Sequence, residues 1–217
     1  MTSFSGKNGN NRKAVGPEGD GRESPSNYPA YPEYKDSVVG WLGELPAHWD
    51  APQVRRVFQI QNGATPKGDN DEFWGGGIPW VTPDDLGRLS SPYISSTKRT
   101  LTEEGYASCG ATLVPYGSLV MSIRAPVGYV AIAQNAVCTN QGCRSLVPIA
   151  EIDSRYYCYH ILSCSGFLQA FSGGSTFQEL STETLAAFYI AKPSFEEQKK
   201  IADFLDHETA RIDALIE

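Results

Sequence analysis

Lys67, Arg88, Lys98, Arg99, Arg124, Asn140, Gln141, Arg144 and Gln178 fall between segments rich in Val, Ile and aromatic residues, where the chain turns. What they share is hydrogen-bonding edges. An Arg guanidinium matches the edge of guanine and an Asn or Gln amide that of adenine, each through two hydrogen bonds. DNA contact is therefore one reading of the set. The other is that surface loops are polar anyway, and residue types alone do not separate the two.

Enzyme chemistry has less support. The sequence holds no G-x-x-x-x-G-K-[ST], G-x-G-x-x-G or H-E-x-x-H pattern, and no G-x-S-x-G elbow. His48, His160 and His207 lie in three different elements and read as structural or exposed residues. A metal-dependent nuclease would have to join Asp84 of TPDD to Glu197 and Lys199 of EEQK, on a capped helix far along the chain. Solvated charges and a capping box explain those residues better. No Asp/Asn-Pro-Pro-aromatic segment, which would hold a flipped adenine, is present.

Composition narrows the class. The 217 residues are 41% hydrophobic, enough for a core. No apolar run approaches the ~18 residues of a membrane helix, and the first residues lack the apolar stretch of a signal peptide. Five cysteines without C-x-x-C spacing argue for reduced thiols in a cytoplasmic protein rather than disulfides or zinc. The net charge of −7 is unlike that of a generic phosphate binder. Affinity for nucleic acid must then come from a local patch or be shared with a partner.

These loops need elements to position them. Residues 1–27 are rich in Gly, Asn, Ser and Lys and read as a disordered tail. Val38, Val39, Trp41 and Leu42 suggest a short helix or turn docked on the body. From Val54 to Pro148, the runs VRRVFQI, IPWVT, SLVMSIR, YVAIA and RSLVPI read as strands, separated by NGATPKGDND, WGGGIP and RAPVG. Many short strands imply a curled, mostly antiparallel sheet in an α+β fold rather than βαβ units. DSRYYCYHILSCSGFLQAF reads as a helix capped by Asp153, with Tyr157, Ile161, Leu168 and Phe171 on one face. GSTFQELSTETLAAFYIAKP, residues 174–193, reads as a loop, a helical turn and a short strand. In PSFEEQKKIADFLDHETARIDALIE, Ser194 and Glu197 form a capping box. Ile201, Leu205, Ile212 and Leu215 then approximate a coiled-coil seam that wants a partner helix. Trp41, Trp74 and Trp80 read as core or docking aromatics rather than base-stacking platforms. No internal repeat is visible.

Several of these segments together resemble a known family. YPEYKDSVVGWLGELPAHWD is similar to the opening of specificity (S) subunits of type I restriction–modification systems. NGATPKGDNDEFWGGGIPWVTPDDL, SLVMSIRAPVGYVAIA, CTNQGCRSL and GSTFQELSTETLAAFYIAKPSFEEQKKIADFLD follow in the matching order. The resemblance covers about residues 28–217. It implies a target-recognition domain at 28–192 and the start of a conserved spacer and dimerisation helix at 193–217. It further implies a non-catalytic, sequence-specific DNA-binding subunit with no cofactor of its own. Modification (methyltransferase) subunits and a motor-nuclease subunit would use S-adenosylmethionine, ATP and Mg²⁺. The sequence carries one recognition domain where the family pattern has two. That suggests a fragment of a longer subunit or a half-subunit that pairs with itself, and the unfinished heptad favours the former.

On that reading the candidate DNA contacts are Thr65 and Lys67, the segment holding Arg88, Lys98 and Arg99, then Arg124, and the TNQGCR turn with Asn140, Gln141 and Arg144. A further loop offers Ser175, Thr176 and Gln178, whose hydroxyls could bond a phosphate. The alternative for Asn140–Gly142 is a turn whose side chains satisfy backbone groups. A scaffold that uses its helix but no longer reads DNA remains a third possibility beside reader and nuclease.

Overall fold

The computed structural model describes residues 30–68, 70–173 and 179–216. The expected tail 1–27 and the loop residues Ser175, Thr176 and Gln178 lie outside them. The chain opens with a hairpin of β1 (Tyr34–Asp36) and β2 (Glu44–Pro46). The cluster expected to form a short helix or turn is the loop of this hairpin. Val38 takes a left-handed φ of 56° there, and its neighbours turn inward. Trp41 stacks on Phe188 with centroids 4.7 Å apart and donates its indole N–H to the Tyr189 carbonyl.

Next come β3 (Phe58–Asn62), β4 (Trp74–Val81), α1 (Pro83–Gly87), β5 (Tyr93–Ile94), β6 (Thr100–Leu101) and α2 (Glu103–Ala107). β7 (Leu119–Ser122), β8 (Val130–Ala133), β9 (Cys138–Thr139) and β10 (Cys143–Pro148) complete the sheets. Five strands pair in the order β3-β10-β7-β8-β5, antiparallel except for the last pair; three more pair as β6-β4-β9. This is the α+β architecture with a mostly antiparallel main sheet that the short strands imply. Two readings shift. VRRVFQI begins as a single 3-10 turn, Val54–Arg56, and extends only from Phe58. WGGGIP is part of strand β4 rather than a break, with a register shift between Trp74 and Ile78. Gly75 has φ +81°, and a Cβ on Gly76 would lie 2.4 Å from the Leu101 carbonyl oxygen. The glycines are what allow the strand to bulge against its neighbour.

The main sheet is buried on both faces, as the continuous apolar runs of its central strands β7 and β8 imply. Leu119, Met121, Val130, Ile132 and Leu146 face one cluster, where Phe58, Tyr157, Ile161 and Leu168 cover them. Val120, Ala131, Ala133 and Cys143 face the other, beneath Val81, Leu86 and Val137. Each fully buried large apolar side chain contributes about 1.5–3 kcal/mol. Behind the first face lie α3 (Ser154–Ser163), α4 (Ser165–Phe171) and α5 (Thr182–Ala187). The single helix expected over 153–171 is broken at Cys164. Ser163 turns its hydroxyl back to the His160 carbonyl, and Ser165 and Gly166 follow, all weak helix formers. Packing around the His160 ring lowers its pKa to about 4. The neutral ring accepts a hydrogen bond from the Ala191 N–H at 3.0 Å, a structural role as expected.

The last helix, α6 (Phe195–Ile216), is bolted to α3 at its start. Gln198, only 1% exposed, donates to the Pro193 carbonyl and accepts from the Asp153 N–H. Arg155 bridges Asp153, Asp203 and Asp206, each at 2.8 Å, and the Tyr159 hydroxyl donates to Asp206. The Ser194–Glu197 capping box is present. Among the described residues no helix is long and apolar enough to cross a membrane.

Glu197 joins His48 and Trp49, just after the hairpin, to α6 as well as capping it. Burial alone would raise its pKa, but hydrogen bonds from His48, Ser194 and Trp49 outweigh that and hold it at about 2. The carboxylate therefore stabilises the fold above the ordinary carboxylate range, and loses that effect as pH falls towards about 2. Glu197→Gln is expected to lower the urea midpoint at pH 7, with the gap to the parent chain closing between pH ~4.5 and ~2. An unchanged gap across that range contradicts the role given to the charge.

Candidate nucleic-acid interface

Several loops meet at one end of the sheets because of strand register. β10 pairs Arg144 with Asn62 at the end of β3 and with Met121 near the end of β7. The segments after β3, after β7 and before β10 must then lie side by side. β9 runs parallel to β4, placing Thr139 beside Val81, and the N–H groups of Ala64 and Asn140 bond the carbonyls of Thr139 and Val81. This assembly brings most of the sequence-derived candidates together.

Thr65 donates its hydroxyl to the Gln141 side-chain carbonyl, linking the loop after β3 to the turn before β10. Asn140 accepts the Gly142 N–H through Oδ1 at 2.9 Å, so its carbonyl shapes the turn, as the backbone-satisfying alternative holds. Arg88 and Asn140 line an open depression of about 590 Å³, walled by Asp84, Ala125, Pro126 and Tyr129. Arg88 is ion-paired to Asp84 at 2.8 Å, one turn back in α1. Arg124 pairs with Glu179 at 3.1 Å. Lys67 and Lys98 are exposed, and neither ammonium has an ion-pair partner among the described residues. The Lys98 backbone is tied to Asp85, which also caps α1.

Arg144 is more enclosed than the candidate arginines Arg88, Arg99 and Arg124, which are exposed. It is half-buried and serves the framework: Nε donates to Thr182 in α5, and one Nη donates to the carbonyls of Gln141 and Cys143. Desolvation lowers its pKa, with Glu179 pulling the other way. Arg99 lies over Trp74 with Cζ 3.3 Å from the ring centroid. Trp80, 5% exposed, is a core residue as expected, whereas half-buried Trp74 is also a platform for a cation. Its proximity to Arg99 had no sequence signal, because 25 residues and a strand pairing separate them. Thr182, which anchors Arg144, was equally unmarked.

The helix seam is only partly open. Ile201 packs against the main core and Leu205 is half-buried, so the body covers the start of the seam. The first turns of α6 rotate Ala202 and Gln198 into the body and carry Ile201 with them. Ile212 and Leu215 are 54% and 84% exposed. The nuclease residues are separated in function: Asp84 is held by Arg88 and Glu197 by His48 and Trp49. Among the described residues no group of three His, Cys, Asp or Glu side chains is placed to hold a metal ion.

A family model for the type I restriction modification DNA specificity domain matches residues 46–217. The chain belongs to this family. Its relatives include the type I restriction enzyme MjaIX specificity subunit of Methanocaldococcus jannaschii, 40% identical over 177 residues, a match covering 81% of this chain and 40% of the relative. The EcoR124I/EcoR124II specificity subunit of Escherichia coli is 28% identical over 185 residues, covering 81% and 44%. Among solved structures, the HsdS subunit from Thermoanaerobacter tengcongensis aligns with a TM-score of 0.61 at 23% identity, covering 79% of this chain and 40% of that one. A chain from a structure of the type I R-M system reaches 0.62 at 24% identity, with the same coverage. These likenesses show the fold. The chain spans about two fifths of the length of the curated relatives it matches.

The close approach of the two central loops makes Gly63 a test of this assembly. A Cβ there would sit 1.9 Å from the Asn140 carbonyl oxygen, whereas one on Gly77 meets nothing within 4 Å. Gly63→Ala is expected to cost about 1–3 kcal/mol, the range for overpacking, with Gly77→Ala near neutral in the same urea titration. Equal midpoints for the two variants contradict the packed-loop geometry.

Proposed function

We propose that this chain is a DNA-recognition module of a type I restriction–modification complex. It reads part of a target in double-stranded DNA and directs adenine methylation and cleavage by partner subunits in the cytoplasm. The family match over residues 46–217 carries this reading, and the loop face supplies a chemistry suited to it. The module itself performs no bond-making step. S-adenosylmethionine, ATP and Mg²⁺ belong to the modification subunits and the motor-nuclease subunit.

On this reading the loops after β3, after β7 and before β10 enter the major groove, where the four base pairs are distinguishable. Lys67 and Lys98 attract the backbone, which positions the loops without reading sequence. Arg88 and Arg124 begin in ion pairs that are exposed on both sides. Exposed pairs are worth only about 0–1 kcal/mol, so a phosphate can replace either carboxylate at small cost. α6 serves as the spacer, paired through its distal apolar residues with a matching helix from a second recognition half or a second copy.

The acidic balance of the chain assigns most phosphate neutralisation to the partners. Neutralising about three to five phosphates gives a slope of log affinity against log salt of about −2.7 to −4.5 for the isolated chain. Weak, steeply salt-sensitive binding is therefore expected in fluorescence anisotropy with duplex DNA, and tight binding only in the assembled complex. Nanomolar, sequence-specific binding by the isolated chain at physiological salt contradicts this division of labour.

A further inference from the structure

The guanidinium groups on the loop face differ in how free they are to read a base. Arg88 and Arg124 are each engaged by a carboxylate. Arg144 has Nε and one Nη committed to Thr182 and two backbone carbonyls. Arg99 is exposed, and its guanidinium makes no ion pair or hydrogen bond with any described residue. Yet it is fixed in place. Its Cζ lies 3.3 Å from the centroid of Trp74 and 5.7 Å from that of Trp80. At the shorter separation only a near-parallel guanidinium fits, because an edge-on one would drive its nitrogens into the ring. The N–H groups therefore radiate in a plane along the indole face, outward and unspent.

The platform is itself held. Trp74 meets Trp80 edge to face, with centroids 4.9 Å apart, and Trp80 donates its indole N–H to the Ala64 carbonyl at 2.9 Å. Ala64 adjoins Thr65, whose hydroxyl reaches Gln141. The Arg99 main chain is tied as well: its carbonyl accepts the Trp80 N–H and the Thr97 hydroxyl. Arg99 is thus fixed at both ends and continuous with the loops that meet at Asn140.

We infer that Arg99 is a base-reading residue that recognises guanine through its O6 and N7 edge, with Trp74 as its positioning residue. This rests on the DNA-reading function proposed above. A planar fork that stacks on an aromatic face and keeps both in-plane donors free suits bidentate recognition of guanine. Its side-chain freedom is already reduced before DNA arrives, so less is lost on binding. A phosphate contact needs only a charge, and the flexible ammonium groups of Lys67 and Lys98 already supply that.

The test is selection of duplexes from a randomised library by the full chain at low ionic strength, with sequencing of the bound DNA and a salt titration on the selected site. The parent chain is expected to prefer a G·C pair at one position. Arg99→Ala and Arg99→Lys should each lose that preference by roughly ten- to a hundredfold while other positions hold. Arg99→Lys should keep the parent salt slope. Trp74→Phe should retain part of the preference and Trp74→Leu lose it, with thermal melting confirming a folded chain. Because Arg99 is exposed, its variants remain informative even if Trp74→Leu unfolds. Preferences unchanged in both Arg99 variants overturn the assignment and leave DNA reading intact. A uniform fall in affinity over all sequences, with the Arg99→Ala slope reduced by about one, also overturns it and makes Arg99 a phosphate contact. A parent chain with no sequence preference overturns the DNA-reading function and this inference together.

Discussion

Strand β10 lies between β3 and β7, and that two-sided pairing decides where the candidate contact residues sit. Asn62, Met121 and Arg144 are forced into one row by its register. The loops that leave these strands then meet, and bonds such as Thr65 to Gln141 and Ala64 to Thr139 tie them together. Leu146, fully buried in the same strand, holds the row against the helices behind it. The polar turn before β10 is thus anchored by apolar burial a few residues away, and loop composition can differ while the frame persists.

A second constraint is where the acids go. The chain is acidic, with a net charge of −7, yet many of its carboxylates are committed to joints. Asp153, Asp203 and Asp206 converge on Arg155 and fasten α6 to α3. Asp85 caps α1 and holds the Lys98 backbone. Glu197 joins the segment after the hairpin, at His48 and Trp49, to the start of α6. On the loop face, only Asp84 and Glu179 sit in ion pairs with candidate arginines, while Lys67, Lys98 and Arg99 stay unpaired among the described residues. Net charge alone therefore does not describe the loop face, where these three cations carry no ion pair among the described residues.

Local signals in the sequence were legible where local physics determines structure. Both predicted helix caps, Asp153 and Ser194 with Glu197, are in place, and the apolar runs SLVMSIR, YVAIA and RSLVPI contain strands. The readings that shifted depend on tertiary context. WGGGIP looks like a turn until Leu101 is beside it. Ile201 looks like part of a free seam until α3 claims the adjacent face of the helix. Arg144 looks like a surface cation until α5 folds over it. Family resemblance supplied the functional reading, since a loop arginine carries no mark of what it touches.

We propose the loop end of the sheets, and not the hairpin or helix side, as the DNA surface. Hydrogen–deuterium exchange of the full chain with and without duplex DNA at low salt tests it most directly. Slowed exchange is predicted in segments 63–68, 97–99, 124–128 and 140–144, with 34–46 and α3 unchanged. Protection confined to the hairpin and α3, with those four loop segments unaffected, would contradict it.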